Sequence, residues 1–229
     1  MCRFSIAPIR HSVSWARIKG AGSECLIIEG VDALHEVKYT VPADRIVAGT
    51  YVTAVLATGG SIFLEHAPAG QLGALLEAAE AMGASTVVNA EGIGVDVIRR
   101  LKALPYLKTE VYDGFPTDLQ SPMMAVMALA EGRSMIEERI FENRFRIVQE
   151  LRRMGADIET VQNKAYIRGV EKLEGARVEA EELRGGAALV VAGLAAKGRT
   201  VIRNRHFIER GYENICKDLR NLGADISIG

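Results

Sequence analysis

The stretch Ala187-Ala188-Leu189-Val190-Val191-Ala192-Gly193-Leu194-Ala195-Ala196-Lys197-Gly198-Arg199-Thr200-Val201-Ile202 carries an apolar run, a stopping glycine and a β-branched strand signal. An apolar run with no polar face reads as a helix buried on all sides. Gly198 after it reads as a C-terminal cap, since glycine enters the left-handed region without a Cβ penalty. An amphipathic stretch over 212–221 follows, and Gly223-Ala224-Asp225-Ile226 closes the unit as a turn and strand. The same grammar occurs twice more. One copy has the apolar residues 123–130, Gly132, Met135-Ile136, an amphipathic 145–153 with Phe145, Val148, Leu151 and Met154 on one face, and Gly155-Ala156-Asp157-Ile158. The other has 46–57, Gly60, Ser61-Ile62-Phe63-Leu64, 72–82 and Gly83-Ala84. Gly60 to Gly83 and Gly132 to Gly155 are each 23 positions apart, and Gly198 to Gly223 is 25. A register kept that closely marks an internal repeat. The expectation is a layered α/β domain of approximate threefold internal symmetry, with three buried helices starting near Arg45, Asp118 and Arg184. A second echo, Ile28-Glu29-Gly30-Val31 against Ile167-Arg168-Gly169-Val170, reads as a turn between short strands used twice.

Length and composition narrow the function classes. The 229 residues fit one large domain or two small ones, and 48% hydrophobic with 25% charged residues excludes a disordered chain. The formal net charge of −1 offers no global basic field, so neither nucleic acid nor an anionic membrane is expected as partner. The longest apolar run, 187–196, falls well short of the roughly 20 residues needed to span a bilayer. Residues 1–15 lack the apolar run of a secretion signal. Cys2, Cys25 and Cys216 are an odd number without paired spacing, which points to a reducing compartment, the cytoplasm. His11, His35, His66 and His206 show no metal spacing, and no phosphate-loop motif occurs, so neither metal nor cofactor is expected.

Candidate chemistry gathers before the apolar helices. In Gly114-Phe115-Pro116-Thr117-Asp118-Leu119-Gln120, Thr117 and Gln120 have capping-box spacing, and Asp118 suits the positive helix end. An acidic first-turn residue is more often a dipole partner than a base, so both readings of Asp118 stand at this point. Glu142 and Arg144, in Ile140-Phe141-Glu142-Asn143-Arg144-Phe145, read either as a solvated ion pair or as ligand contacts at a strand-to-helix junction. Arg144, Arg184 and Arg210 all read as lying at helix starts, where the dipole disfavours a cation. They converge on a phosphate or carboxylate ligand, or they bridge one repeat to the next; the spacing allows both.

These segments, with Gly169-Val170-Glu171-Lys172-Leu173 and Arg210-Gly211-Tyr212-Glu213, resemble the UDP-N-acetylglucosamine enolpyruvyl transferases (1-carboxyvinyltransferases), which make the first committed precursor of peptidoglycan. The resemblance runs from about Ala16 to the C-terminus. It implies an inside-out α/β barrel-like domain with three internal repeats, over 43–229, matching the second domain of an enzyme nearly twice this length. Residues 16–42 resemble the last strands of the first domain, and 1–15 are expected to be foreign to the family. By resemblance Asp118 is the base that takes the proton of the sugar 3-hydroxyl, and Ile140 is a backbone contact to the nucleotide sugar. Arg184 and Arg210 face the phosphoenolpyruvate pocket, and Glu142 and Arg144 set up the cleft. The implied ligands are UDP-N-acetylglucosamine and phosphoenolpyruvate. None of the three cysteines matches the family's reactive loop, and Val111 and Asp113 replace the prolines usual beside Tyr112. Two readings follow: a transferase half that acts with a complementary N-terminal half, or a noncatalytic remnant that binds anions. In either case exposed strand edges are expected, with a second copy of the chain as one occupant.

Overall fold

The computed structural model describes residues 17–33, 36 and 38–229, which fall into two units divided between Pro42 and Ala43. The segment 1–15 lies outside the described residues. In the first unit β1 (Arg17–Lys19) pairs antiparallel with β2 (Ile27–Glu29), with both strands largely exposed.

The second unit is built on the three apolar helices. Helix α1 (Arg45–Thr58) is followed by β3 (Gly60–Glu65), α2 (Gly73–Met82), β4 (Ser85–Val88), β5 (Gly92–Val97) and the short β6 (Leu107–Lys108). Next come α3 (Gln120–Leu129), β7 (Arg133–Glu137), α4 (Val148–Arg153), β8 (Asp157–Val161) and β9 (Lys164–Arg168). The chain ends with β10 (Arg177–Glu179), α5 (Leu183–Ala195), β11 (Val201–Arg203), α6 (His206–Glu209) and α7 (Ile215–Asn221). Helices α1, α3 and α5 pack against one another in all three pairings. Every residue of α3 from Gln120 to Ala128 is buried, as is every residue of α5 from Gly185 to Ala192. Because no face of these stretches of α3 and α5 meets water, their sequences carry no amphipathic stripe. Small residues permit the close approach: a Cβ at Gly49 of α1 would lie 2.4 Å from the Leu119 side chain.

The sheets wrap this helical centre. The first has order β3-β5-β4 and the second β6-β7-β9-β8. In both, the strand after the apolar helix pairs antiparallel with the last strand of its unit, which pairs antiparallel with the middle one. Strand β6 adds parallel to β7, and in the third unit β10 pairs parallel with β11 in the same way. There the third sheet stops.

Three expectations are corrected. Residues 224–229 form no strand, although Gly223 takes the left-handed conformation (φ 95°) as a helix cap should. In the second unit the equivalent strand β8 is held by β9, and among the described residues nothing occupies the matching place beside β11. The amphipathic stretch expected over 212–221 is helical only from Ile215, as α7; Tyr212, buried against the core, lies in the connection between α6 and α7. Helix α4 begins at Val148 rather than 145, because 142–147 is a run of turns. Among the described residues no helix is long and apolar enough to cross a membrane, and Cys25 and Cys216 are free thiols.

Candidate functional site

Asp118 lies in a single 3-10 turn, Thr117–Leu119, that leads directly into α3. The expected capping box does not form. The Thr117 hydroxyl instead donates to the Glu138 carboxylate at 2.9 Å, and Gln120 accepts from Ser121. The hydroxyl is drawn to the buried carboxylate as a donor, and no backbone N–H of the helix start donates to it as a box would require. Asp118 is thus neither cap nor solvated dipole partner. Its Oδ1 accepts from Arg144 Nη2 at 3.0 Å and its Oδ2 from Arg184 Nη2 at 3.2 Å.

This cluster joins two repeat units through one carboxylate. Arg144 and Arg184 have side chains 19% and 18% exposed, against 38% for Asp118, so the guanidiniums are held inside while the carboxylate reaches outward. Two cations on one anion leave one formal positive charge in excess. Arg144 also keeps its Nε buried without an acceptor, and its guanidinium lies over the Phe141 ring, 5.4 Å from the centroid. Arg184 neighbours Tyr212, whose hydroxyl lies 2.8 Å from Thr50 Oγ1. Burial pushes the Tyr212 phenol above its ordinary value.

Of the three arginines read as lying at helix starts, only Arg184 does, as the second residue of α5. That helix start is closed by its own N-cap: Glu182 accepts from the backbone N–H groups of Arg184 and Gly185. Arg144 sits in the turns ahead of α4, and Arg210 caps the C-terminal end of α6, exposed. Dipole repulsion therefore explains nothing at Arg144 or Arg210. Ile140, Glu142 and Arg144 line an open cleft of about 1130 Å³ between the 137–146 segment and the β8–β9 turn. Glu142 is exposed, and neither it nor Arg210 has a hydrogen bond or ion pair to the Asp118 cluster among the described residues.

Sequence reasoning missed two groups of this site. Glu138 is buried, only 3% exposed, yet in Glu137-Glu138-Arg139 it reads as part of a solvated charge run. Strand alternation carried past the end of β7, with Ile136 inward, Glu137 outward and Glu138 inward, was the available signal. Thr109, fully buried, donates to Glu138 Oε1 at 2.8 Å and accepts from the Arg139 N–H at 2.9 Å. Nothing in its sequence neighbourhood marks it.

The family model for EPSP synthase (3-phosphoshikimate 1-carboxyvinyltransferase) matches residues 15–219. The chain belongs to the EPSP synthase family. Within it, 46% identity over 211 residues links the chain to UDP-N-acetylglucosamine 1-carboxyvinyltransferase 2 of Caldanaerobacter subterraneus, covering 92% of this chain and 51% of that protein. The UDP-N-acetylglucosamine 1-carboxyvinyltransferase of Methylacidiphilum infernorum is 44% identical over 228 residues, 99% of this chain and 54% of its own length. Among solved structures, the enolpyruvyl transferase NikO from Streptomyces tendae superposes with a TM-score of 0.80 at 28% identity, over 93% of this chain and 51% of that one. The EPSP synthase from Acinetobacter baumannii, at 21% identity and a TM-score of 0.63 over 83% of this chain and 45% of that one, shares the fold. The chain spans about half the length of the curated relatives it matches. As an EPSP synthase family member it carries the inside-out α/β architecture, with the Asp118, Arg144 and Arg184 cluster at the ends of its central helices.

Proposed function

We propose that this chain is the C-terminal half of a UDP-N-acetylglucosamine 1-carboxyvinyltransferase, acting in the cytoplasm in peptidoglycan precursor synthesis and inactive without a complementary N-terminal half. The observation that carries the reading is Asp118 held between Arg144 and Arg184, one carboxylate between two anion-binding forks. In the reaction the sugar 3-hydroxyl oxygen bonds to C2 of phosphoenolpyruvate while C3 takes a proton. The tetrahedral intermediate then loses a C3 proton, and phosphate leaves with the C2–O bonding pair.

Asp118 is the base for the sugar hydroxyl. At rest both its oxygens are engaged, so an incoming phosphate or carboxylate that draws one guanidinium away frees the oxygen that must reach the proton. Arg184, with Arg210 from the end of α6, holds the phosphoenolpyruvate charge as it redistributes, the electrostatic contribution that usually dominates. Arg144 and Glu142 shape the cleft. The Ile140 N–H is engaged by Glu138 Oε1, so its contact to the nucleotide sugar falls to the carbonyl. The third sheet supports a partner half: β11 pairs with β10 alone among the described residues, and 224–229, without regular structure, has no ladder beside it. A complementary half contributes strands there, and in its absence a second copy is the competing occupant.

The test is complementation. The chain alone should release no phosphate from phosphoenolpyruvate and UDP-N-acetylglucosamine. Mixed with the N-terminal half of a relative such as the Methylacidiphilum enzyme it should do so, and Asp118→Asn should abolish that release. Activity in the chain alone, or an Asp118→Asn variant that complements as well as wild type, overturns the assignment.

A further inference from the structure

Glu138 follows β7 directly and turns its carboxylate into the protein. A buried carboxylate is costly unless its lone pairs are filled, and here four donors fill them. Thr109 Oγ1, the Ile140 N–H and the Phe141 N–H reach Oε1 at 2.8, 2.8 and 3.1 Å, and Thr117 Oγ1 reaches Oε2 at 2.9 Å. The backbone of the same residue is tied elsewhere. Its N–H donates to the Asn163 carbonyl at 2.8 Å, and its carbonyl accepts from Asn163 Nδ2 at 3.0 Å. The main chain thus holds Glu138 to the β8–β9 turn, while the side chain holds only segments that form the site.

Those segments are separate in sequence. Thr117 precedes Asp118 in the 3-10 turn before α3, whereas Ile140 and Phe141 open the turns that carry Arg144. Thr109 closes the circuit by accepting from the Arg139 N–H. One carboxylate therefore fixes the backbone on both sides of the Asp118–Arg144 pair, which spans 3.0 Å between residues 26 apart in the chain.

We propose that Glu138 is a positioning residue: it clamps the Thr117–Asp118 turn and the Ile140–Arg144 segment into one unit, so that the base, its arginine and the Ile140 backbone keep a common register. Its consequence for catalysis rests on the transferase reading; the clamp itself does not. Filling a core site would need an apolar side chain of similar size and no charge. Thr109, Thr117 and two amides arranged around a carboxylate are instead an arrangement that transmits position from one segment to the other.

The experiment follows amide exchange and chemical shifts of the whole chain by NMR in wild type, Glu138→Ala and Glu138→Gln. Glutamine keeps the volume and one carbonyl oxygen for the Oε1 donors, and the Thr117 hydroxyl can turn to accept from its amide. In Glu138→Ala the Ile140 and Phe141 amides should exchange at least about tenfold faster while the β8 and β9 ladder amides hold, and the Arg144 Nε–H resonance should move. Glu138→Gln should restore most of the protection. Uniform acceleration throughout the chain, or unchanged Ile140 and Phe141 exchange in Glu138→Ala, overturns the proposal. If the alanine variant does not fold, the glutamine variant decides: full loss of local protection despite its carbonyl counts against the clamp. A parallel complementation assay with the N-terminal half of a relative separates the two readings. A wild type that shows the clamp but releases no phosphate when so complemented upholds the positioning role and removes the transferase assignment instead.

Discussion

Replacing Asp118 by asparagine tests whether the cluster is an anion site occupied by its own carboxylate or a strut between repeats. In wild type an anion must compete with the Asp118 carboxylate for Arg144 and Arg184, which hold it at 3.0 and 3.2 Å. Removing that negative charge from within about 4 to 5 Å of a bound phosphate, at an effective dielectric between 20 and 80, is worth about 1 to 4 kcal/mol. The variant should therefore bind inorganic phosphate on the order of tenfold or more tighter than wild type. It should also be less stable in the absence of anions, by about 1 to 2 kcal/mol. That figure is set low because Asp118 is 38% exposed and solvent screens its half of each pair. Phosphate at a hundred times its dissociation constant then returns about 2.7 kcal/mol, enough to reverse the loss. The assay is a phosphate titration of both proteins by NMR and by thermal unfolding, with chloride at matched ionic strength as control. If Asp118→Asn binds phosphate no tighter than wild type, or if chloride restores stability equally, the arginines are inter-repeat struts and the anion-site reasoning fails.

Three further outcomes follow from the packing. Gly169→Ala should cost at least about 3 kcal/mol or prevent folding, because its Cβ would lie 1.5 Å from the Ala130 carbonyl oxygen, whereas Gly30→Ala, with open space around it, should change stability by less than about 0.5 kcal/mol; chemical denaturation of both variants checks this. Burial raises the Tyr51 and Tyr212 phenols in the folded chain, with the Asp218 carboxylate adding to the effect at Tyr51. The folded state therefore holds protons that the unfolded state releases near pH 10, so stability is fully present below about pH 10 and falls above it; Tyr212→Phe should flatten that alkaline decline in urea melts at pH 9 to 11. At neutral pH the same variant should cost about 1 kcal/mol for the lost bond to Thr50, whose hydroxyl keeps its bond to the Ile46 carbonyl.

The helical centre was legible because burial on all sides leaves a positive mark in sequence, an apolar run closed by glycine at a repeated spacing. Residues 123–130 and 187–196 announced α3 and α5 for that reason; Gly132 and Gly198 take positive φ as expected, although each lies two residues beyond the observed cap, Ala130 or Ala196. The last strand at 225–226 was misread because a strand is a property of a pair. Its own residues match those of β8, but the ladder partner that makes β8 a strand is not among the described residues beside it. The late start of the helix within 212–221 also has a cause outside the segment itself. Tyr212 turns inward to reach Thr50 on α1, and α7 waits for the Asn214 cap.

The site was legible in residue type and not in electrostatic state. Arginines near the ends of repeated helices look from sequence like unmet positive charge awaiting a ligand. In the fold two of them meet the same carboxylate, and the helix end nearest Arg184 is already capped by Glu182. On the proposed reading an anion competes with that carboxylate for the guanidiniums, and in drawing one away sets free the group proposed as the base. On that reading binding and activation are coupled: the forks turn to the substrate as Asp118 loses its partners. A base that stayed accessible beside two idle guanidiniums would draw either one into pairing, so the closed cluster is the state that physics favours at rest. Sequence spacing supplies the three residues, but only their meeting point makes the coupling visible.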